Sequence, residues 1–367
     1  MTTKPVAYDI HHILTVSSDV ALPELEAFRV ETPLRDPSVR VRLGNVDAAA
    51  KHPTNPHVRT VTYEESTGRH GFAIRLDLGA RAEILASPFL GHSPHVLYTN
   101  AVEPVLRWAF VERGYALVHG ACLATDGRAF LITARTDTGK TTTVLKTLDA
   151  HPEYAFLSDD LTLLRDDGTV LPYPKPLTIS RHTLSAVNTP LLTARERFFL
   201  AFQSRLHSKS GRSFGLWLTR MHLPMASVNA VVQLLVPPPK YPIQRLVPHA
   251  RVAPSAMLNG LVVIERGESR EIRLDHLEAV STLLANCEDS YGFPPYADIK
   301  EVLYRVGDRD LRLEERRIVS EALASCPAIV MRSESRNWFQ QIPGFIAEAL
   351  RPRTWAPAPV ALEAASD

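Results

Sequence analysis

Cysteine is scarce in this chain. Its 367 residues hold only Cys122, Cys287 and Cys326, odd in number and far apart. Such spacing gives neither a disulfide framework nor paired zinc ligands, and a reducing, cytoplasmic setting is expected. An excess of either charge sign is also missing: 41 Lys plus Arg against 40 Asp plus Glu leave a formal net charge of +1. No chain-wide attraction for nucleic acid or anionic lipid follows, and neither is expected as a partner. Long apolar runs are absent too. The richest, Ala226 to Val236, contains Asn229 and Gln233 and runs into Pro237, Pro238 and Pro239, well short of the roughly 20 residues a membrane span needs. The N-terminus, MTTKPVAYDIHHILTVSSDV, lacks the basic flank, apolar core and small-residue cleavage site of a secretory signal. His11, His12, His52, His57, His92 and His95 fall in no H-E-x-x-H or Cys-paired pattern and read as structural or exposed. No Gly-x-Ser-x-Gly elbow suggests an esterase.

What is present is an ordinary globular composition, 45% hydrophobic and 22% charged, with length for two or three compact units. Over residues 1–96, β-prone runs such as HILTVSS, VRVRLG and FAIRLDL alternate with Pro, Gly and Asn, as in a small β-rich domain. Tyr98 to Arg113 carries Val102, Val105, Leu106, Ala109 and Phe110 at helical spacing and ends at Gly114. That helix opens a central domain over 97–308. There YALVHGACLA and RAFLIT flank Thr125-Asp126-Gly127 as a β-hairpin. A helix from Lys140 to about Asp149, a strand around AFLS and a hairpin turning at Asp166-Asp167-Gly168 follow. Further on, Phe198, Phe199, Phe202 and Leu206 suggest an amphipathic helix over 194–208, SVNAVVQLLV a buried strand, PPPKYP a connector and HLEAVSTLLANC another helix. Tyr291 to Tyr296 reads as an aromatic, Pro-rich loop packed on the core. Residues 309–367 are expected to form a helical extension with a frayed tail. The fold class is α/β: a mixed sheet with flanking helices, preceded by the β-rich domain.

One run carries chemistry. Ala134-Arg135-Thr136-Asp137-Thr138-Gly139-Lys140-Thr141 follows the strand FLIT and leads into a helix, the spacing of a Walker A phosphate loop. Successive loop N–H groups and the helix N-terminus can surround phosphate oxygens, Lys140 supplies positive charge, and Thr141 can ligate magnesium. Thr136, Asp137, Thr138, Gly139, Lys140, Thr141 and Thr142 are therefore the candidate nucleotide-binding residues. Ala134 stands where the pattern has Gly, which disfavours a left-handed backbone there. At the end of the strand YAFL stand Asp159 and Asp160, where one carboxylate can hold magnesium while the other accepts the proton of an attacking hydroxyl. His119, in LVHGA, lies in the strand ahead of the loop.

The order His119-Gly120, hairpin, A-x-x-x-x-G-K-T loop and strand ending in Asp159-Asp160 resembles the HPr kinase/phosphorylase family of the phosphoenolpyruvate-carboxykinase-like P-loop superfamily, over roughly Ala116 to Ser180. The resemblance implies transfer of the γ-phosphoryl group of ATP, with magnesium, to a hydroxyl of a small metabolite or of a seryl residue in a peptide or protein. It makes Asp160 the general base, Asp159 its metal-linked partner and His119 a polar assistant, and it implies a homo-oligomer. Where that family has an acidic, glycine-rich signature, this chain reads RLHSKSGRSFGLWL, so an acceptor other than HPr is expected. Arg205, His207, Lys209 and Arg212 could hold an anionic acceptor, although a basic helix end is more often a solvated face; Lys175 and Arg181 are read in the same way. The alternative is a nucleotide-sensing module that keeps the phosphate cradle without turnover.

Overall fold

The computed structural model describes residues 4–46, 58–65, 71–178, 227, 240–292 and 294–351. The expected helix over 194–208, the basic group around Lys209, Arg181, residues 228–236 and the tail from 352 lie outside them.

A mixed sheet of seven strands among the described residues opens the chain, in the order β3-β1-β2-β4-β7-β6-β5. Its strands are β1 Val6–Ile10, β2 Leu14–Ser18, β3 Arg29–Val30, β4 Val39–Leu43, β5 Arg59–Glu64, β6 Ala73–Leu78 and β7 Ala82–Ala86. Alternation places Leu14 and Val16 of β2, and Val39 and Val41 of β4, in the core while their neighbours face outward. The Leu22 N–H donates to the buried Tyr8 hydroxyl at 2.7 Å, fastening the segment after β2 to the sheet.

A helical stretch crosses to the second sheet: α1 Pro94–Leu97, one π turn Tyr98–Val102 and α2 Glu103–Val111. The second sheet runs β16-β11-β9-β10-β17-β13-β12-β8, and β21 joins β17 to β18. Its strands are β8 Tyr115–His119, β9 Ala121–Thr125, β10 Arg128–Thr133, β11 Ala155–Ser158, β12 Leu161–Arg165, β13 Thr169–Leu171, β16 Arg251–Val252, β17 Ala256–Glu265, β18 Arg270–Leu274 and β21 Ala328–Arg332. Two two-stranded ribbons, β14 Leu177–Thr178 with β15 Lys240–Tyr241 and β19 Arg305–Val306 with β20 Arg309–Asp310, stand apart from it. Parallel pairs, β10 with β17 and β17 with β21, sit beside antiparallel hairpins. The architecture is thus α/β with mixed sheets.

The remaining helices are α3 Lys140–Ala150, α4 Ile243–Leu246, α5 His276–Ser290, α6 Tyr296–Tyr304, α7 Leu311–Leu323 and α8 Trp338–Leu350. β17 is apolar on both faces because helices cover both. Leu261 and Val263 enter a large core shared with the N-terminal sheet, α2, α5, α6 and α7. Val262 and Ile264 enter a second core with Val144, Leu145 and Leu148 of α3 and Trp338, Ile342 and Ile346 of α8.

Three sequence expectations change. The run YALVHGACLA is not one strand: it breaks at Gly120, β8 pairing with β12 while β9 forms the hairpin with β10. Glycine stands at the break because a Cβ there would lie 2.8 Å from Leu131 Cδ1 and 3.3 Å from the Ile132 carbonyl oxygen. A boundary at 96/97 does not divide the hydrophobic interior, since one core joins residues on both sides of it. Nor are residues after 308 a helical extension: β21 lies in the sheet and α8 covers the second core. The apolar run AIVM, read locally, has no marker of its partner strand some 65 residues earlier, whose pairing runs from Leu261↔Ala328 to Glu265↔Arg332.

Trp338 has no exposed surface, donates its Nε1–H to the Met331 carbonyl at 2.9 Å, and lies against the position a Gly139 Cβ would take. Trp338→Ala should therefore cost about 3–5 kcal/mol in urea unfolding. A loss within experimental error of zero would show that α8 is dispensable to the core.

Candidate functional site

The ends of β8, β10 and β11 and the start of β12 meet at one edge of the second sheet. Register fixes this: Leu161 pairs with His119, Ile132 with Ala121 and Ser158 with Cys122. The Thr133 hydroxyl donates to the His119 carbonyl at 2.8 Å, and the Gly120 N–H donates to the Asp160 carbonyl at 3.0 Å, so the strand ends cannot slide apart independently.

The loop Ala134–Gly139 leaves β10 and enters α3. Ala134 is buried in the second core and is not among the positive-φ residues, so the missing glycine costs no strain at that position. The left-handed positions are Asp137, at φ 63°, and Gly139, at φ 130°. Asp tolerates that region better than most side chains, and Gly139 is the residue type its backbone requires. Thr138 closes the turn, its hydroxyl donating to the Arg135 carbonyl at 2.8 Å. From outside, the Arg266 guanidinium donates to the carbonyls of Asp137 and Thr138. With those carbonyls engaged by Arg266 and no side-chain cap from the described residues at the N-terminus of α3, the N–H groups of its first turn form a local positive end. Thr141 and Thr142 lie in that turn. Asp289, at the end of α5, already places a carboxylate oxygen 3.3 Å from the Thr136 N–H and 3.4 Å from its hydroxyl.

Beside the loop runs a chain of charges. Lys140 Nζ is 2.8 Å from His119 Nε2; since an ammonium only donates, Nε2 carries the lone pair and the ring proton sits on Nδ1, 3.4 Å from Asp160 Oδ1. Burial, then Lys140, push His119 down to about 4, which keeps it neutral. Burial also lowers Lys140, against the pull of Asp160 and Asp159. Asp160 Oδ2 accepts from Lys175 Nζ at 2.9 Å, and Lys175 donates again to Glu103 Oε2 at 2.7 Å. For Asp160 burial acts upward, but Lys175, His119 and Lys140 outweigh it and hold the carboxyl far below its usual range. Because 42% of that side chain is exposed, water softens this hold.

Asp159 differs from its neighbour. It is 7% exposed; its Oδ2 accepts from the Thr141 hydroxyl at 2.8 Å, while its Oδ1 is buried with no hydrogen-bond partner among the described residues. Burial, opposed by Lys140, pushes it up to about 6. A bare carboxylate oxygen next to a threonine hydroxyl is the oxygen-donor chemistry of a hard cation such as magnesium. No group of three or more His, Cys, Asp or Glu side chains suited to a metal occurs among the described residues, so such an ion would need ligand oxygens from a bound molecule.

Of the sequence candidates, His119, Lys140, Thr141, Asp159 and Asp160 come together here, with Thr136, Asp137, Thr138, Gly139 and Thr142 in the adjoining loop and turn. Lys175 corrects its reading as solvated: its side chain is 10% exposed and paired twice. Glu103, Arg266 and Asp289 carried no local signal, because each reaches the site from an element distant in sequence. The stiff run Pro172-Tyr173-Pro174-Lys175-Pro176 was the one available hint for Lys175, since closely spaced prolines fix where the intervening side chain emerges. His95, read as structural or exposed, joins a buried group with Glu24 and Lys240, at 2.5 Å from Glu24 Oε1. No helix among the described residues is long and apolar enough to cross a membrane. The chain matches no family model and no curated protein.

The Asp159 shift fixes a pH dependence. Its folded value of about 6 lies above its ordinary 3.8, so its contribution to stability is present below the lower value and is lost as pH rises through the upper one. At pH 8 the ionised group is a liability of up to about 3 kcal/mol. Asp159→Asn should stabilise the metal-free protein by about 1–3 kcal/mol at pH 8 and by much less at pH 4 in urea titrations. Equal effects at both pH values would remove the assigned cause.

Proposed function

We propose that this chain is an ATP- and magnesium-dependent kinase related to the HPr kinase/phosphorylase family, transferring the γ-phosphoryl group to a hydroxyl of a small metabolite or of a seryl residue. The observation that carries the reading is the meeting of the Lys140 loop with two unequal carboxylates, one buried and shifted toward its neutral form, the other kept ionised and partly open to solvent.

In this reading the loop N–H groups and the N-terminus of α3 hold the β- and γ-phosphate oxygens, and Lys140 turns from His119 to the phosphates as they arrive. Thr141 and Asp159 hold magnesium, which when bound neutralises charge on the phosphates. Asp160 accepts a hydrogen bond from the acceptor hydroxyl. The acceptor oxygen bonds to the γ-phosphorus, the bond to the β–γ bridging oxygen breaks, ADP departs, and the hydroxyl proton passes to Asp160. So weak a base suffices when the transition state is loose, because the proton leaves only after the forming O–P bond has acidified it. Asp160 then acts mainly by orientation, and His119, whose Nδ1–H faces it, keeps the carboxylate turned toward the loop.

Labelled ATP incubated with candidate hydroxyl acceptors should yield one phosphorylated product. Asp160→Asn should lower that transfer at least about 100-fold and leave nucleotide affinity within about threefold. Transfer that survives the substitution takes the base role from Asp160, and binding without transfer to any acceptor favours a nucleotide-sensing module.

A further inference from the structure

Lys175 is a buried lysine that the transfer chemistry above does not use. Two of its N–H donors are taken: one goes to Glu103 Oε2 at 2.7 Å and one to Asp160 Oδ2 at 2.9 Å, while the ammonium sits 5.4 Å from the centre of the Tyr98 ring. Its anchor is itself fixed: Glu103, at the N-terminus of α2, takes a second hydrogen bond on Oε1 from the Tyr291 hydroxyl at 3.2 Å. The backbone just ahead of Lys175 is held as well. The Tyr173 N–H donates to Ser158 Oγ at 2.9 Å, the Tyr173 and Tyr98 hydroxyls are 2.8 Å apart, and His11 Nε2 lies 2.7 Å from the Pro172 carbonyl oxygen. Four separate elements, including the N-terminal sheet, thus converge on where this one ammonium stands.

Resting on the kinase reading, we infer that Lys175, seated on Glu103, is a positioning residue that fixes the Asp160 carboxylate for the acceptor hydroxyl. Asp160, at 42%, is more exposed than His119, Lys175 and Glu103, each at 10%, and without Lys175 the side-chain restraint left on it among the described residues is the 3.4 Å approach to His119 Nδ1. A carboxylate free to rotate spends little of its time in the orientation that accepts the acceptor proton, and small misplacements are costly in rate. The N-terminal sheet, through His11 and the Pro172–Pro176 run, therefore bears on catalysis without touching substrate.

The test compares Lys175→Met, Glu103→Gln and Lys175→Arg with the wild-type chain. Transfer is measured per nucleotide-binding molecule, so that loss of folded protein is divided out. Lys175→Met and Glu103→Gln should each lower kcat at least about tenfold with KM for ATP within about twofold, and the double variant should be no worse than Lys175→Met alone. Lys175→Arg, which keeps a cation, should recover part of the rate. Unchanged kcat per binding site in Lys175→Met, or losses that multiply in the double variant, would overturn the positioning role and leave the kinase reading standing. A wild-type chain that transfers to no acceptor would instead overturn the kinase reading, and this inference with it.

Discussion

Five ionisable side chains share one water-poor corner of this protein, and none of them could be there alone. Taking a charge out of water costs several kcal/mol unless an opposite charge or well-placed hydrogen bonds repay it. Lys140, His119, Asp160, Lys175 and Glu103 repay one another in sequence, each link between 2.7 and 3.4 Å. The topology serves that arrangement. The ends of β8, β10 and β11 and the start of β12 stop at the same sheet edge, and α2 and the Pro172–Pro176 run bring the outer charges to it. Removing Lys175 would leave Glu103 and Asp160 without their shared cation, so the corner constrains the fold as much as the fold builds the corner.

The two adjacent carboxylates show how environment separates identical groups. Asp159 and Asp160 differ by one residue, so the strand end turns them to different surroundings. One is buried, and burial favours its neutral form against the opposing pull of Lys140 and the Thr141 hydroxyl; the other meets an ammonium and an imidazole, which favour its charge. Unequal neighbours of this kind give a site two distinct roles from one residue type, a cation ligand and a hydrogen-bond acceptor.

Much of this was legible in the sequence because the relevant physics is local. Hairpin turns at Asp126-Gly127 and Asp166-Asp167-Gly168, the loop before Lys140 and the helix after it are written in neighbouring residues. Ala134 agrees with its residue type: the backbone there is not left-handed, and the left-handed positions of the loop are Asp137 and Gly139. What could not be read depends on contacts across the chain. Arg266 arrives from the turn after β17, Asp289 from the far end of α5, Glu103 from α2, and β21 joins the sheet from beyond a segment that reads as helical. Lys175 looked like a surface lysine because its burial is imposed by partners 72 and 15 residues away.

The central claim is that the loop before α3 and the Thr141–Asp159 pair form one seat for a magnesium-bound triphosphate. Calorimetric titration of the full chain with ATP tests it most directly, with and without magnesium and again with Lys140→Met. The account predicts that magnesium tightens binding by at least about tenfold, or about 1.4 kcal/mol, and that Lys140→Met removes most of the affinity. ATP binding that ignores both the metal and Lys140 would contradict it.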